Sequence, residues 1–281
     1  MNNDKVKAII SLMGDDSADV RHMMDTQLKQ MTLEELAELS EKSREIDTEI
    51  SLHIQDVHHE LENDFFVNEL EQRVANDDLD LEGMVVFLSR FIDRSIKDKD
   101  IRTLLNDLTQ QCQDYLDQNY EEDRALLLAR FLGEVKGFAG NKKQYYAVGN
   151  SSIYHLLFSK KGLPITLSVL YIILGKRLGI NLQGVAVPTH FIVGHFEDDS
   201  VTYYDPFEGG KEISIRDCQI LARKAGYPFN EDMLEPVDLR YIFLRMLNNL
   251  QYVYSRERKK PQSKAITQLL KIWTERVFRQ A

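Results

Sequence analysis

Residues 164 to 178, which read PITLSVLYIILGKRL, form an apolar segment that restricts the possible folds of this chain. Pro164 suits the first turn of a helix, and Gly179 is typical of the position just beyond a helix end. The apolar side chains would occur on nearly all sides of such a helix rather than along one stripe, which indicates burial all round. We therefore predict a core helix that other elements cover on every side.

Three segments after this helix read as β-strands. LQGVAVP, HFIVGHFE and VTYYDPF are rich in β-branched and aromatic residues and are separated by a proline and by the sequence EDDS. If EDDS closes a hairpin, Glu197 lies opposite Ser200. The same register brings His190 opposite Phe207, with Asp205 as its diagonal neighbour on the same face, about 7–8 Å away between backbones. The sequence therefore predicts a His190–Asp205 pair.

The segment before the core is predicted to be helical. Apolar residues recur at helical spacing across residues 1–123, and no proline occurs before Pro164. The stretch IISLMGDDSADVRHMM resembles one HEAT-type repeat. We expect residues 1–123 to form a helical N-terminal region.

The other expected boundaries follow from a shift in composition. Glycines interrupt the helical pattern in KGFAGNKKQYYAVGNSS, so we place the start of the core just before it, at residue 124. DLRYIFLRMLNNLQYVYSR and SKAITQLLKIWTERVF predict two further helices. The expected organisation is a core at residues 124–235 and a TPR-like antiparallel helical hairpin at residues 236–281.

Composition excludes several classes of partner. The 281-residue chain has a formal net charge of −10, which argues against a general binder of nucleic acid or of anionic membranes. Its only cysteines are Cys112 and Cys218, too few for a disulfide framework. No apolar stretch reaches the ~18 residues that span a bilayer, and the N-terminus does not read as a signal peptide. We predict a cytoplasmic protein.

Three ordered motifs resemble a known family. GLPITLS, PTHF and DPFEGG, with core similarity over about residues 126–217, resemble the SirB-one-like branch of the transglutaminase-like superfamily, which has bacterial members. The resemblance implies an α+β fold, with a papain-like core in which a buried helix packs against an antiparallel sheet. In PTHF, threonine replaces the glycine that usually precedes the histidine.

The resemblance also implies a catalytic cysteine at the start of the core helix, where the helix dipole and a nearby imidazolium lower a thiol pKa. The matching position in this chain is Pro164 or Ile165, and neither has a nucleophilic atom. Thr166 and Ser168 carry the nearest hydroxyls. We therefore expect a degenerate member of the superfamily that binds another protein or a peptide segment.

Other interpretations of the same residues stay open. A hydrolase or acyltransferase would use Thr166 or Ser168 as nucleophile, His190 as base and Asp205 to orient the imidazole. His190 and Asp205 could alternatively hold a metal with a third ligand, or only stabilise the hairpin. Serine and threonine inside helices commonly bond a backbone carbonyl four residues back, which favours a structural role for both hydroxyls.

The remaining candidate residues concern binding. Asn150 lies in the family-like GNSS segment and, with Pro164 and Ile165, is predicted to line a groove; QYYAVGN could form its wall. His195 is predicted to point away from His190, since residues an odd number apart along a strand face opposite sides. The histidines of HIQDVHHE read as a polar helical surface, so no metal site and no cofactor are predicted. The sequence does not indicate an oligomeric state.

Overall fold

The computed structural model describes residues 2–197 and 200–278. Its α-helices, in chain order, are α1 (Asn3–Met13), α2 (Ala18–Leu28), α3 (Leu33–Ser43), α4 (Thr48–Ala75), α5 (Leu81–Ile92), α6 (Asp98–Gln118), α7 (Arg124–Arg130), α8 (Ile153–Ser159), α9 (Pro164–Leu178), α10 (Ile215–Lys224), α11 (Leu239–Arg256) and α12 (Lys260–Ile272). Its strands are β1 (Ala139–Gly140), β2 (Lys161–Gly162), β3 (Leu182–Val185), β4 (Ile192–Glu197), β5 (Ser200–Asp205), β6 (Lys211–Ile213) and β7 (Pro236–Val237). Across the described ranges, no helix combines the length and apolar character needed to cross a membrane.

The chain forms two compact units. One contains the chain up to Asn76 together with Tyr254–Ile272, and the other contains Asp77–Val253 together with the chain from Trp273. These bounds differ from the segments expected at residues 1–123, 124–235 and 236–281. The second unit takes in α5 and α6 because their apolar faces pack around α9.

The first unit is helical. Its buried cluster is built from one face of each of α1 to α4, with Leu28, Leu36, Leu39 and Ile54 fully buried. Thr32 begins α3 with a capping box, in which its hydroxyl accepts from Glu35 N and the Glu35 carboxylate accepts from Thr32 N. Helix α12 packs on α4 within this unit.

The second unit contains an antiparallel sheet. Its five strands are ordered β6-β5-β4-β3-β7, and each neighbouring pair is antiparallel. The β4–β5 hairpin has the register predicted from the sequence, with Glu197 opposite Ser200 and Val193 opposite Tyr204. The two central residues of its EDDS turn lie outside the described residues. A separate pair of two-residue strands, β1 and β2, is parallel.

Helix α9 forms the core of the second unit, as its apolar sequence predicts. It begins at Pro164 and ends before Gly179, whose φ of 70° is the left-handed conformation that glycine adopts at low cost. Most of its residues are buried, including Leu167, Leu170 and Leu174, each with 0% exposure. The sheet covers one side of α9 and the helices α5, α6 and α7 cover others. The structure is thus mostly helical, with an antiparallel sheet against a buried helix.

A polar link joins α9 to the helices outside it. Arg177 donates from Nε to Glu82 Oε2 at 2.9 Å and from Nη2 to Glu82 Oε1 at 2.8 Å, a bidentate ion pair between α9 and α5. Its Nη1 donates to Asn106 and to Thr109 on α6. One guanidinium therefore joins three helices of this unit.

Candidate functional site

His190 lies in the connection between β3 and β4, and its backbone is held from both sides. Its N–H donates to Val187 O at 2.9 Å, and Arg245 Nη2 donates to its carbonyl oxygen at 2.9 Å. The preceding residue, Thr189, has a φ of 60°, in the left-handed region that a threonine rarely adopts. The connection is a constrained turn that fixes the direction of the His190 side chain.

Asp205 is the last residue of β5, and both oxygens of its carboxylate take part in hydrogen bonds. Oδ1 accepts from Phe207 N at 2.9 Å and from Glu208 N at 3.3 Å, which caps the short turn after the strand. Oδ2 lies 2.8 Å from His190 Nε2. The predicted hydrogen bond between His190 and Asp205 is therefore present. The two side chains are only 12% and 6% exposed.

His190 and Phe207 lie close together, as predicted, although neither residue is part of the β4–β5 ladder. Their rings are 5.8 Å apart between centroids, at 87°, which is an edge-to-face contact. Because β4 starts only at Ile192, His190 belongs to the turn and not to the strand. The pair with Asp205 is consequently made between a turn residue and a strand end, and not diagonally across two paired strands.

The start of α9 presents no exposed nucleophile. Pro164 is buried and Ile165 is 2% exposed, while Thr166 and Ser168 both have 0% exposure. Ser168 Oγ donates to Phe191 O at 3.1 Å, and Thr166 Oγ1 is buried without a hydrogen-bond partner in the described structure. Neither hydroxyl is hydrogen-bonded to His190.

The imidazole of His190 is oriented by a carboxylate but has no nucleophile as its second partner. Since the Asp205 carboxylate only accepts, the Nε2 atom of His190 donates to it. In neutral imidazole this leaves Nδ1 as the unprotonated nitrogen. No other described residue is hydrogen-bonded to this ring. The arrangement supplies the base and the orienting acid of a triad without its third member.

Neither cysteine replaces the missing thiol. Cys112 and Cys218 are both buried, on α6 and α10. Burial raises the pKa of Cys112 to about 12, and burial followed by nearby Asp217 and Asp205 raises the pKa of Cys218 to about 11. Both side chains are therefore neutral thiols at pH 7, which are poor nucleophiles.

Asn150 organises a loop next to this site. Its Nδ2 donates to the carbonyl oxygens of Gln144 and Tyr145 at 2.6 and 2.8 Å, and its Oδ1 accepts from Asn141 Nδ2 at 2.9 Å. Its own carbonyl oxygen accepts from Leu163 N, one residue before α9. Asn150 is 4% exposed, so it holds this loop through buried hydrogen bonds and is not part of the loop surface.

Four aromatic side chains contact one another here, two from the loop held by Asn150, one from the turn after β5 and one from α11. We call Tyr145, Tyr146, Tyr252 and Phe207 the aromatic rim. Tyr145 lies 5.2 Å from Tyr146 and 6.1 Å from Phe207, and Tyr146 lies 5.4 Å from Tyr252, between ring centroids. Tyr145, Tyr146 and Tyr252 are 36%, 46% and 54% exposed. Through Phe207, the rim adjoins the His190 imidazole.

Basic groups accompany the rim. Lys142 Nζ is 2.6 Å from Glu208 Oε2 and 5.9 Å from the centroid of the Phe207 ring.

The phenol of Tyr145 is affected by its neighbours. Burial raises the pKa of Tyr145, nearby Tyr146 adds to the increase, and Arg245 opposes it. Tyr145 is therefore a neutral phenol at pH 7, able to donate a hydrogen bond.

Two residues of this surface were not identified from the sequence. Arg245 and Tyr252 both lie on α11, far along the chain from the loop and from His190. A sequence signal exists, since the two are seven positions apart and lie on one helix face. That spacing does not indicate which part of the chain the face meets.

Two described groups of His, Asp and Glu side chains have ligand atoms close enough to hold a metal. They are His58, His59 and Glu62 on α4, and Asp123, His195 and Glu197 in the second unit. Neither group includes His190 or Asp205. The hypothesis of a metal at that pair thus finds no third ligand within the described ranges.

A family model agrees with the position of the site. The model of the transglutaminase-like superfamily matches residues 99–248, just over half of the chain, and this range contains His190, Asp205 and α9.

Curated relatives cover the same region. A UPF0162 protein from Xylella fastidiosa strain Temecula1 is 33% identical over 163 residues, which is 54% of this chain and 58% of the relative. A UPF0162 protein from Vibrio cholerae is 31% identical over 90 residues, 32% of this chain and 33% of the relative. Human F-box only protein 21 is 27% identical over 128 residues, 43% of this chain but only 20% of the relative. The chain therefore spans 58% or less of the length of these relatives. No solved structure matches the chain.

Proposed function

Because the chain belongs to the transglutaminase-like superfamily, we propose that it is a catalytically degenerate member that binds a protein or peptide segment at the aromatic rim. In this proposal, the His190–Asp205 pair stabilises the turn beside the rim and does not serve turnover. No cofactor takes part.

The start of α9 supports the loss of catalysis. The position that would carry the cysteine holds Pro164 or Ile165, both buried, and His190 has no hydroxyl or thiol partner among the described residues. A hydroxyl needs a well-placed base even more than a thiol does, because its own pKa is far above 7. An oriented imidazole alone lacks the hydroxyl or thiol that carries the acyl group in a triad.

The aromatic rim supports binding. Tyrosine is enriched at protein interfaces because its ring gives apolar area at low entropic cost while its hydroxyl donates a hydrogen bond. Three tyrosines of the rim are more than a third exposed. The ring of Tyr146 contacts both Tyr145 and Tyr252. Lysine and arginine beside them suit the carbonyl and carboxylate oxygens of a peptide.

Finer assignments belong to the same proposal. GLPITLS, PTHF and DPFEGG support the SirB-one-like branch of the superfamily and with it a papain-like core at residues 124–235. The HEAT-like region at residues 1–123 and the TPR-like hairpin at residues 236–281 are supported by sequence pattern alone. Two free, buried cysteines support the cytoplasm as the compartment.

Site-specific photo-crosslinking tests binding at the rim. A benzophenone amino acid replaces Tyr252 in one variant and Tyr227 in a matched control, since both tyrosines are 54% exposed in the same unit. We expect a discrete cross-linked protein from position 252 only, and about tenfold less product when Tyr146→Ala is added. The captured protein, once identified and purified, should bind the intact chain with the same dependence on Tyr146. Equal products at both positions would contradict binding at the rim.

One observation favours an alternative function. Thr166 Oγ1 has no hydrogen-bond partner in the described structure, so this hydroxyl is not committed elsewhere. A hydrolase or acyltransferase with Thr166 or Ser168 as nucleophile would require α9 and the His190 turn to move, because both hydroxyls are fully buried. Covalent labelling separates this alternative from the binding function.

A further inference from the structure

A second polar cluster lies in the same unit, away from the aromatic rim. Asp123 immediately precedes α7, and His195 and Glu197 are two residues apart on β4, so they share one face of the sheet. One ligand atom from each of the three side chains lies within 4.8 Å of the other two. Side chains from a helix start and from a strand therefore bring three atoms of metal-ligand type close together.

This face of the sheet is the one that packs on α9. A Cβ built on Gly175 of α9 would lie 3.2 Å from Leu182 Cβ, so Leu182 faces the helix. Leu182 pairs with His195, and paired residues of antiparallel strands point to the same side. His195 is half-buried at the edge of this layer. His195 is thus not part of the His190–Asp205 pair and lies instead beside Asp123 and Glu197.

The carboxylates of the cluster are not neutralised by a described cation. Asp123 accepts from Leu126 N at 2.7 Å through Oδ1, which leaves Oδ2 available, and Glu197 accepts only from the Ser200 hydroxyl at 3.3 Å. Within the described ranges, no lysine or arginine forms an ion pair with either carboxylate. The nearby Arg130 pairs with Glu122 instead. Asp123 and Glu197 are exposed, so solvent screens their mutual repulsion in part, and a cation between them would remove the rest.

Tyr204 gives an independent indication of a ligand. It pairs with Val193, two residues before His195, so its side chain points to the same face. It is 2% exposed, yet no described residue is hydrogen-bonded to its hydroxyl. Because Val193 and His195 lie on one face of β4, Tyr204 is the diagonal neighbour of His195 across the two strands. A hydroxyl on the face of the cluster and without a protein partner suits a water bound to a metal.

We propose that Asp123, His195 and Glu197 bind a divalent first-row cation, with Tyr204 hydrogen-bonded to a water on that cation. One imidazole and two carboxylates form a donor set that Zn²⁺ and Mn²⁺ accept, with an open position for water. Ligand atoms at ~2.0–2.2 Å from a cation lie at most about 4.4 Å apart, so small side-chain rotations complete the site. The cation would join the start of α7 to β4.

Zinc titration of the full chain tests this site. The experiment uses chelator-treated protein carrying His58→Ala and His59→Ala, which removes the other described cluster. Isothermal calorimetry with Zn²⁺ should detect one site per chain, and Co²⁺ should give visible absorption bands at the same stoichiometry. Adding His195→Ala or Glu197→Gln should weaken binding by about 100-fold or more, and Tyr204→Phe by about tenfold.

Two controls keep the result interpretable. Asp123→Asn removes a charge but retains a helix cap, so its circular dichroism should be unchanged while Zn²⁺ binding falls. His53→Ala removes an imidazole that lies 2.7 Å from Asp25 in the first unit and should leave binding unchanged. A dissociation constant weaker than about 1 mM in the starting variant, or binding unaffected by His195→Ala and Glu197→Gln, would overturn the proposal.

Discussion

His190 Nε2 donates to Asp205 Oδ2 across 2.8 Å, and the other oxygen of that carboxylate holds the backbone N–H groups of Phe207 and Glu208. A single carboxylate thus fixes both the imidazole and the turn that follows β5. The same contacts that would orient a catalytic base also hold together two connections of the sheet. The pair therefore has a structural role that does not depend on a nucleophile.

Removing the imidazole is expected to destabilise the second unit. His190→Ala leaves Asp205 Oδ2 buried without its partner, which costs about 1–3 kcal/mol of unfolding free energy. Urea denaturation followed by Trp273 fluorescence measures this, because the single tryptophan is fully buried in that unit.

His155→Ala is the matched control for this measurement. His155 Nε2 is 3.7 Å from Asp93 Oδ2 in the same unit, but these side chains are 41% and 36% exposed. Exposed ion pairs contribute little, so we expect a change of about 0.5 kcal/mol or less. Equal losses for His190→Ala and His155→Ala would contradict a structural role of the buried pair.

Thr166 and Ser168 should respond differently to loss of their hydroxyls. Thr166→Val removes a buried hydroxyl that has no partner and should raise the unfolding free energy by up to about 1 kcal/mol. Ser168→Ala removes the hydrogen bond to Phe191 O and should lower it by about 1 kcal/mol. The same denaturation experiment compares the two. A large loss of stability in Thr166→Val would show that its hydroxyl has a partner after all.

The native cysteines should resist alkylation. Because burial raises the pKa of Cys112 to about 12 and of Cys218 to about 11, almost no thiolate forms at pH 7 in the folded protein. Mass spectrometry after iodoacetamide treatment should find neither modified at pH 7 without denaturant, and both modified in urea.

The pKa shifts of the thiols also predict a dependence of stability on pH. A thiol whose folded pKa is raised contributes its full stabilisation below the ordinary pKa of ~8.5, and this contribution is lost as pH rises toward the folded value. The unfolding free energy should therefore fall between about pH 9 and pH 11, and less steeply in Cys112→Ser. Rapid modification of either cysteine at pH 7 in folded protein would contradict both expectations.

Gly133 should not tolerate a side chain. A Cβ at this position would lie 1.7 Å from the carbonyl oxygen of Gly209, in the turn after Asp205. Backbone cannot move aside as a side chain can, so Gly133→Ala should cost about 1–3 kcal/mol or more. Gly149→Ala is the control, because its nearest contact would be 3.5 Å from the His155 ring. Trp273 fluorescence in urea measures both, and equal midpoints would contradict this close packing.

Local sequence signals predict the elements around His190 well. Pro164 and Gly179 bound α9 as expected, because the first fits a helix start and the second takes a left-handed φ at the end. The register of the β4–β5 hairpin follows from its short turn and from the alternation of its residues. Each of these features depends on residues close together in the chain.

Contacts between distant parts of the chain were not predictable in the same way. Arg245 and Tyr252 join the His190 surface from α11, and Asp123 meets His195 across the helix and sheet layers. The pattern of one helix or strand shows which face is apolar, but it does not identify the element that this face meets. The bounds of the two units could not be read from composition for the same reason.

Covalent labelling tests most directly whether catalysis has been lost. The intact chain and His190→Ala are each incubated with a fluorophosphonate and with an acyl ester, and their masses are measured. A known serine hydrolase serves as the positive control. We predict that both forms keep their unmodified mass, because Thr166 and Ser168 are buried and not bonded to His190. A stoichiometric adduct on Thr166 or Ser168 that disappears in His190→Ala would contradict the proposed function and establish a hydroxyl nucleophile.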